Sequence, residues 1–204
     1  MIDVVVLGIG RCGTSFTCDV LAEHFGVCFG HSPNIGKIWR GGMDYEDSRS
    51  KLALRKYLGG TLTRKQMLDV FDQHGPECKI TGIKLLDLVK LTLPDLLALK
   101  PRLVIETHRP LESNIESLRR YSGKPREWCE LYCARRTRMR EALFRQLREA
   151  SPPFPIMAIS IQFRPEHHRY TDSDMVWVLE PVMLEIRGAS ELRASLDGDS
   201  TPTP

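Results

Sequence analysis

An α/β fold, three layers deep with helices on both faces of a central parallel sheet, is predicted for this 204-residue chain by three observations. Short apolar runs alternate with helical patterns along most of its length. The first run, IDVVVL at Ile2–Leu7, leads straight into a glycine-rich turn. Hydrophobic content of 42% and charged content of 27% are ordinary for a globular protein, and the length suffices to bury a core without disulfide staples.

Each element follows from its pattern. Ile2–Leu7 reads as a buried strand. Residues 14–25 read as a helix with Cys18, Leu21, Ala22 and Phe25 on one face and Gly26 as its stop. The glycine-rich stretch 30–42 reads as a loop, and 47–58 and 63–74 as helices. KITGIK predicts a short strand, 86–99 a helix interrupted near Pro94, and RLVIET a second buried strand. Pro110 opens a helix to about Tyr121, because the N–H that proline lacks would be unpaired at that position anyway. A long basic helix over 126–150 ends at PPFP, IMAISI reads as a late strand, and 175–186 as a helix with a defect at Pro181. One domain over 1–195 is expected, with the polar, proline-bearing tail 196–204 disordered.

Bulk properties narrow the function. The net charge of +3 suits an anionic small ligand and gives no support to nucleic acid as the main partner. No apolar run approaches the roughly 20 residues of a membrane helix. The opening MIDVVVLGIG has an acidic residue and no basic flank, so a strand is expected there and not a signal peptide. The six cysteines read as small core residues in a reducing compartment, which predicts a cytoplasmic protein. Cys129 and Cys133 stand one helical turn apart with no second pair to complete a zinc site, and His167–His168 is isolated, so no metal site is expected.

The turn after the first strand carries the chemistry. Gly8 and Gly13 are spaced as in GxxxxGK[ST], the loop that cradles nucleotide phosphates between a strand and a helix. Thr14 stands where that loop has its lysine, and the cation has moved inside the loop, to Arg11. Gly10 and Gly13 are expected to supply positive φ and close approach of an anion, and Thr14 and Ser15 hydroxyl donors. A second anchor is the helix in HRPLESNIESLRR. Leu111, Ile115 and Leu118 form its expected buried stripe, while Arg109, Ser113, Ser117 and Arg120 fall on the other side, able to grip a phosphate. From 109 to 117 the rise is about 12 Å, so the arginine must lean along the axis to share a ligand with Ser117.

Arg11-Cys12-Gly13-Thr14-Ser15-Phe16 resembles the 5′-phosphosulfate loop of sulfotransferases that use 3′-phosphoadenosine 5′-phosphosulfate (PAPS), with Cys12 where the family commonly has serine. Arg109 and Ser117 have the spacing of that family's 3′-phosphate pair; anchoring on Pro110 would instead place His108 and Glu116 there. Lys84 in KITGIKLLD and Tyr45-Glu46 in GGMDYEDSRSKL match two further segments of bacterial and phage-type members. The resemblance implies a P-loop NTPase-like sheet and an enzyme that moves a sulfuryl group from PAPS to a hydroxyl or amine, leaving 3′,5′-ADP and needing no metal. Gly10, Arg11, Cys12, Gly13, Thr14, Ser15, Phe16, Arg109 and Ser117 would bind PAPS, with Phe16 stacking on adenine or serving the core. Arg11 would stabilise the leaving phosphate, and Glu46 or else His31 would take the acceptor's proton. The acceptor, a small molecule, carbohydrate or lipid, and the oligomeric state are left open. A small P-loop kinase is the alternative, with Glu106 as its only strand-end acid, and a non-catalytic adenine-nucleotide binder the third reading. All of this requires Arg11 and Arg109 to converge.

Overall fold

The structure, a computed structural model, describes residues 2–29, 52–53, 56–57, 59–71, 79–85, 92–160, 176 and 178–188. In chain order the elements are β1 (Val4–Leu7), α1 (Thr14–Phe25), β2 (Val27–Phe29), α2 (Arg64–Phe71), β3 (Ile80–Leu85), α3 (Leu93–Leu99), β4 (Leu103–His108), α4 (Leu111–Ser122), α5 (Arg126–Glu149) and β5 (Ile156–Ser160). A further helical stretch covers 178–188.

The strands form a single five-stranded sheet in the order β2-β3-β1-β4-β5, every neighbouring pair parallel. A parallel sheet must be covered on both faces, and alternation along β1 shows how. Val4 and Val6 pack with Cys18, Leu21 and Phe25 of α1 and with Leu179, Met183 and Ile186 of the last helical stretch. Val5 and Leu7 face the opposite layer, with Leu96 and Leu99 of α3 and Leu143, Phe144 and Leu147 of α5. A smaller cluster of Ile115, Leu118, Cys129 and Cys133 joins α4 to α5. The predicted three-layer α/β arrangement is therefore present.

Several local expectations are corrected. β2 was not anticipated: three apolar residues directly behind the Gly26 stop are too short a run to show a period. Of the helix expected over 86–99, residues 86–91 lie outside the described residues, and α3 begins at Leu93 with Pro94 next in its chain. That proline lies in the first turn of α3, where Thr92 caps the end and the Asp95 carboxylate accepts hydrogen bonds from the Thr92 N–H and hydroxyl and from Tyr57. Pro181 leaves no break, the helix being continuous over 178–188. Leu111 is 42% exposed, and Asn114 takes the buried place in the α4 stripe expected of it. Arg140, one of the cations of the basic helix expected over 126–150, is buried against Glu106.

Among the described residues, no helix is long and apolar enough to cross a membrane. Cys12, Cys18, Cys28, Cys129 and Cys133 are buried free thiols. Residues 30–50, which include His31, Tyr45 and Glu46, and the tail 196–204 lie outside the described residues, as do His167 and His168.

Candidate anion-binding site

Topology selects one end of the sheet. The chain leaves β1 for β2 on one side and leaves β4 for β5 on the other, so the carboxyl ends of the adjacent strands β1 and β4 form the crevice where open parallel sheets bind ligands. The Gly8–Gly13 loop leaves β1 at that end. Lys84 stands beside Val6 in the register of β3, and Arg109 follows the last residue of β4.

Close packing explains the first glycine of the loop. A Cβ at Gly8 would lie 2.3 Å from Thr107 Oγ1 and 2.6 Å from Cys12 Sγ, so any larger residue would push the loop off β4. Thr107 Oγ1 donates to Leu7 O at 3.1 Å and stands 3.3 Å from Cys12 Sγ, whose thiol also reaches Ile9 O. Burial pushes the Cys12 thiol up from its ordinary range. Cys12 is thus packed into the base of the loop as a neutral group, and its side chain serves the loop's shape.

Positive φ falls partly where expected. Gly13 has φ 92° and precedes the first residue of α1. The second left-handed position is not Gly10 but Arg11, at φ 72°. An L-residue there costs about 1–2 kcal/mol, and neighbouring groups hold it. Arg109 NH1 donates to Arg11 O at 3.1 Å. Asn114, with its amide nitrogen turned toward the loop, donates to Arg11 O at 3.0 Å and to Gly10 O at 3.1 Å. Asn114 is a site residue that the sequence reading missed, having been counted on neither face of the helix.

Side chains then converge from separate elements. Arg11 Nε donates to Ser117 Oγ at 3.3 Å, a contact across 106 positions of sequence. Arg11 and Arg109 therefore meet at one place, with Ser117 beside them, although Ser117 bonds Arg11 and Arg109 holds the loop. Lys84, buried at 8% exposure, donates from Nζ to Ser15 Oγ at 3.0 Å in the first turn of α1. The lysine missing after Gly13 is thus replaced in space by one from β3. Among the described residues, neither Arg11 nor Lys84 is paired with a carboxylate. Thr14 is buried, whereas Phe16 is half-buried and packs against the α1 face of the core.

The alternative phosphate pair fares differently. Burial, then the charge of Arg140, lowers the His108 pKa against a smaller opposing effect of Glu106, so His108 is neutral at neutral pH. Glu116 is committed on the surface, accepting from Arg119 and Arg120 at 2.9–3.1 Å, and these bonds hold its carboxyl at about 2. A depressed carboxylate stabilises the fold above its ordinary value of 4.5 and loses that contribution as pH falls toward about 2. Glu116→Gln is therefore expected to flatten the acid limb of a Tm-against-pH profile slightly, the pair being exposed. An unchanged slope in thermal melts below about pH 4.5 would contradict it.

Glu106, beside Leu7 in the register of β1 and β4, is engaged by two arginines of α5. One oxygen accepts from Arg148 NH2 at 2.6 Å and the other lies 3.4 Å from Arg140 Nε. This acid ties β4 to α5. Compared with known proteins, the chain matches no family model and no curated sequence.

Proposed function

We propose that this chain is a PAPS-dependent sulfotransferase whose Gly8–Gly13 loop and α4 hold the two anionic ends of the donor. The reading is supported above all by the meeting of Arg11, Arg109 and Ser117, two of which stand 98 positions apart and are joined by the bond from Arg109 to the Arg11 carbonyl. The donor set fits a multiply charged anion. It comprises backbone N–H groups at the start of α1, loop residues of left-handed φ at 11 and 13, and two cations without carboxylate partners among the described residues. A P-loop NTPase-like assignment of the sheet belongs to the same proposal.

Sulfuryl transfer breaks the bond between sulfur and the bridging phosphate oxygen as the acceptor's oxygen or nitrogen bonds to sulfur. Negative charge collects on the leaving phosphate. Prepositioned donors aimed at that charge are the largest expected contribution to rate. Arg11 and the loop N–H groups would neutralise the phosphate, and Lys84 would add a second cation at Ser15. The acceptor's proton would pass to Glu46 or His31, both assigned from sequence alone. Glu106, already neutralised by two guanidinium groups, is a poor metal ligand for the kinase alternative.

Thermal melts with 3′,5′-ADP, with AMP, and with ATP plus magnesium test the proposal. Stabilisation is expected with 3′,5′-ADP without metal, reaching about 2.7 kcal/mol at a hundredfold excess over Kd. Arg109→Ala is expected to remove most of it by releasing the Arg11 carbonyl. Preference for ATP with magnesium would assign the loop to phosphoryl transfer instead.

A further inference from the structure

Tyr121 lies in the last turn of α4 with 69% of its surface exposed, an unusual place for a large aromatic side chain. Its ring is engaged from one side: the Arg11 guanidinium carbon lies 4.7 Å from the ring centroid. Ser117 and Tyr121 are four positions apart, so they share a face of α4, and Arg11 contacts both. The guanidinium is thus held on two sides, over the ring and at its Nε edge on the serine. Its terminal nitrogens have no protein partner among the described residues. The backbone of the same residue is fixed by Arg109 and Asn114.

We propose that Tyr121 is a positioning residue, which with Ser117 holds Arg11 so that its two terminal nitrogens form a preset fork for the phosphate or sulfate oxygens of the loop's ligand. The inference rests on the anion-binding reading of that loop. An exposed arginine otherwise spreads over many rotamers, and a planar fork binds an oxyanion well only when its plane is set beforehand. The ring contact and the Nε bond together restrict where the fork can point.

NMR and calorimetry test this on the full chain. In the ligand-free protein the Arg11 Nε–Hε resonance, assigned by its loss in Arg11→Lys, is expected to be shifted upfield by the ring. Tyr121→Phe retains the shift; Tyr121→Leu abolishes it. Affinity for inorganic pyrophosphate, and for 3′,5′-ADP, is expected to fall about 2–5-fold in Tyr121→Leu and to be kept in Tyr121→Phe, the size of an exposed cation–π contact. Equal affinity of Tyr121→Leu and wild type, or equal loss in both variants, would overturn the proposal. So would failure of the wild type to bind pyrophosphate. Binding of pyrophosphate but not 3′,5′-ADP, with the Tyr121 series behaving as expected, would support the positioning role and reject the PAPS reading.

Discussion

Glu106→Ala is expected to lower folding stability by about 3–5 kcal/mol, because it leaves a buried guanidinium without its counter-charge. Arg140 has a side chain only 10% exposed, and among the described residues its other ion pair, to Glu141, spans 3.6 Å to a half-exposed carboxylate. The Arg148 arm contributes less. Although it makes the shorter contact, its side chain is 54% exposed and screened by solvent. Arg148→Ala should therefore cost about 1 kcal/mol or less. Urea unfolding read by circular dichroism separates the cases, and a chain of this size should lose roughly 6–20 °C in Tm for Glu106→Ala. Replacing both partners, as Glu106→Leu with Arg140→Met, should recover most of the loss, since burying two charges is itself costly. If Arg148→Ala proved as damaging as Glu106→Ala, the buried arm would not be the one that matters.

On the proposed sulfotransferase function, turnover should respond to different residues. Arg11→Ala is expected to reduce kcat by about 10²–10³-fold, as removal of one preorganised donor to a developing charge does, with little change in Tm because the side chain is exposed. Lys84→Met should produce a similar loss while conserving most of the buried volume. Arg11→Lys should be intermediate, retaining charge and losing the fork. Release of 3′,5′-ADP from PAPS, followed with a panel of hydroxyl and amine acceptors, reads all three. Parallel loss of folding and turnover in Arg11→Ala would remove that residue from the chemistry.

The layered fold and the loop were legible because both are written in short range. β1 is an unbroken apolar run, α1 has a clear stripe and a Gly26 stop at φ 68°, and the β1–loop–α1 order is contiguous. The meeting of Arg11 with Arg109 and Ser117 was legible only through a resemblance of spacing. The details that failed depend on contacts made elsewhere. Nothing near Arg11 announces a left-handed backbone, since the groups that hold it, Arg109 and Asn114, arrive from the end of β4 and from α4. Asn114 was assigned to neither face because polarity, and not position on the stripe, governed the reading of the helix. Arg140 was one of a row of arginines, and only the register of α5 against β4 singles it out as the buried one. Lys84 was matched as part of a segment, while its bond to Ser15 spans 69 positions.

Strand order has a consequence for synthesis. Among the described strands, β1 is synthesised before its neighbours yet lies in the middle of the sheet, and its partners, beginning at Ile80 and Leu103, are made much later. Until β4 and α4 have emerged, the nascent chain holds the complete glycine turn but none of the groups that set its backbone. The loop's backbone is therefore set only after Asn114 has been made, and in the interval the apolar β1 segment lacks the strands that flank it.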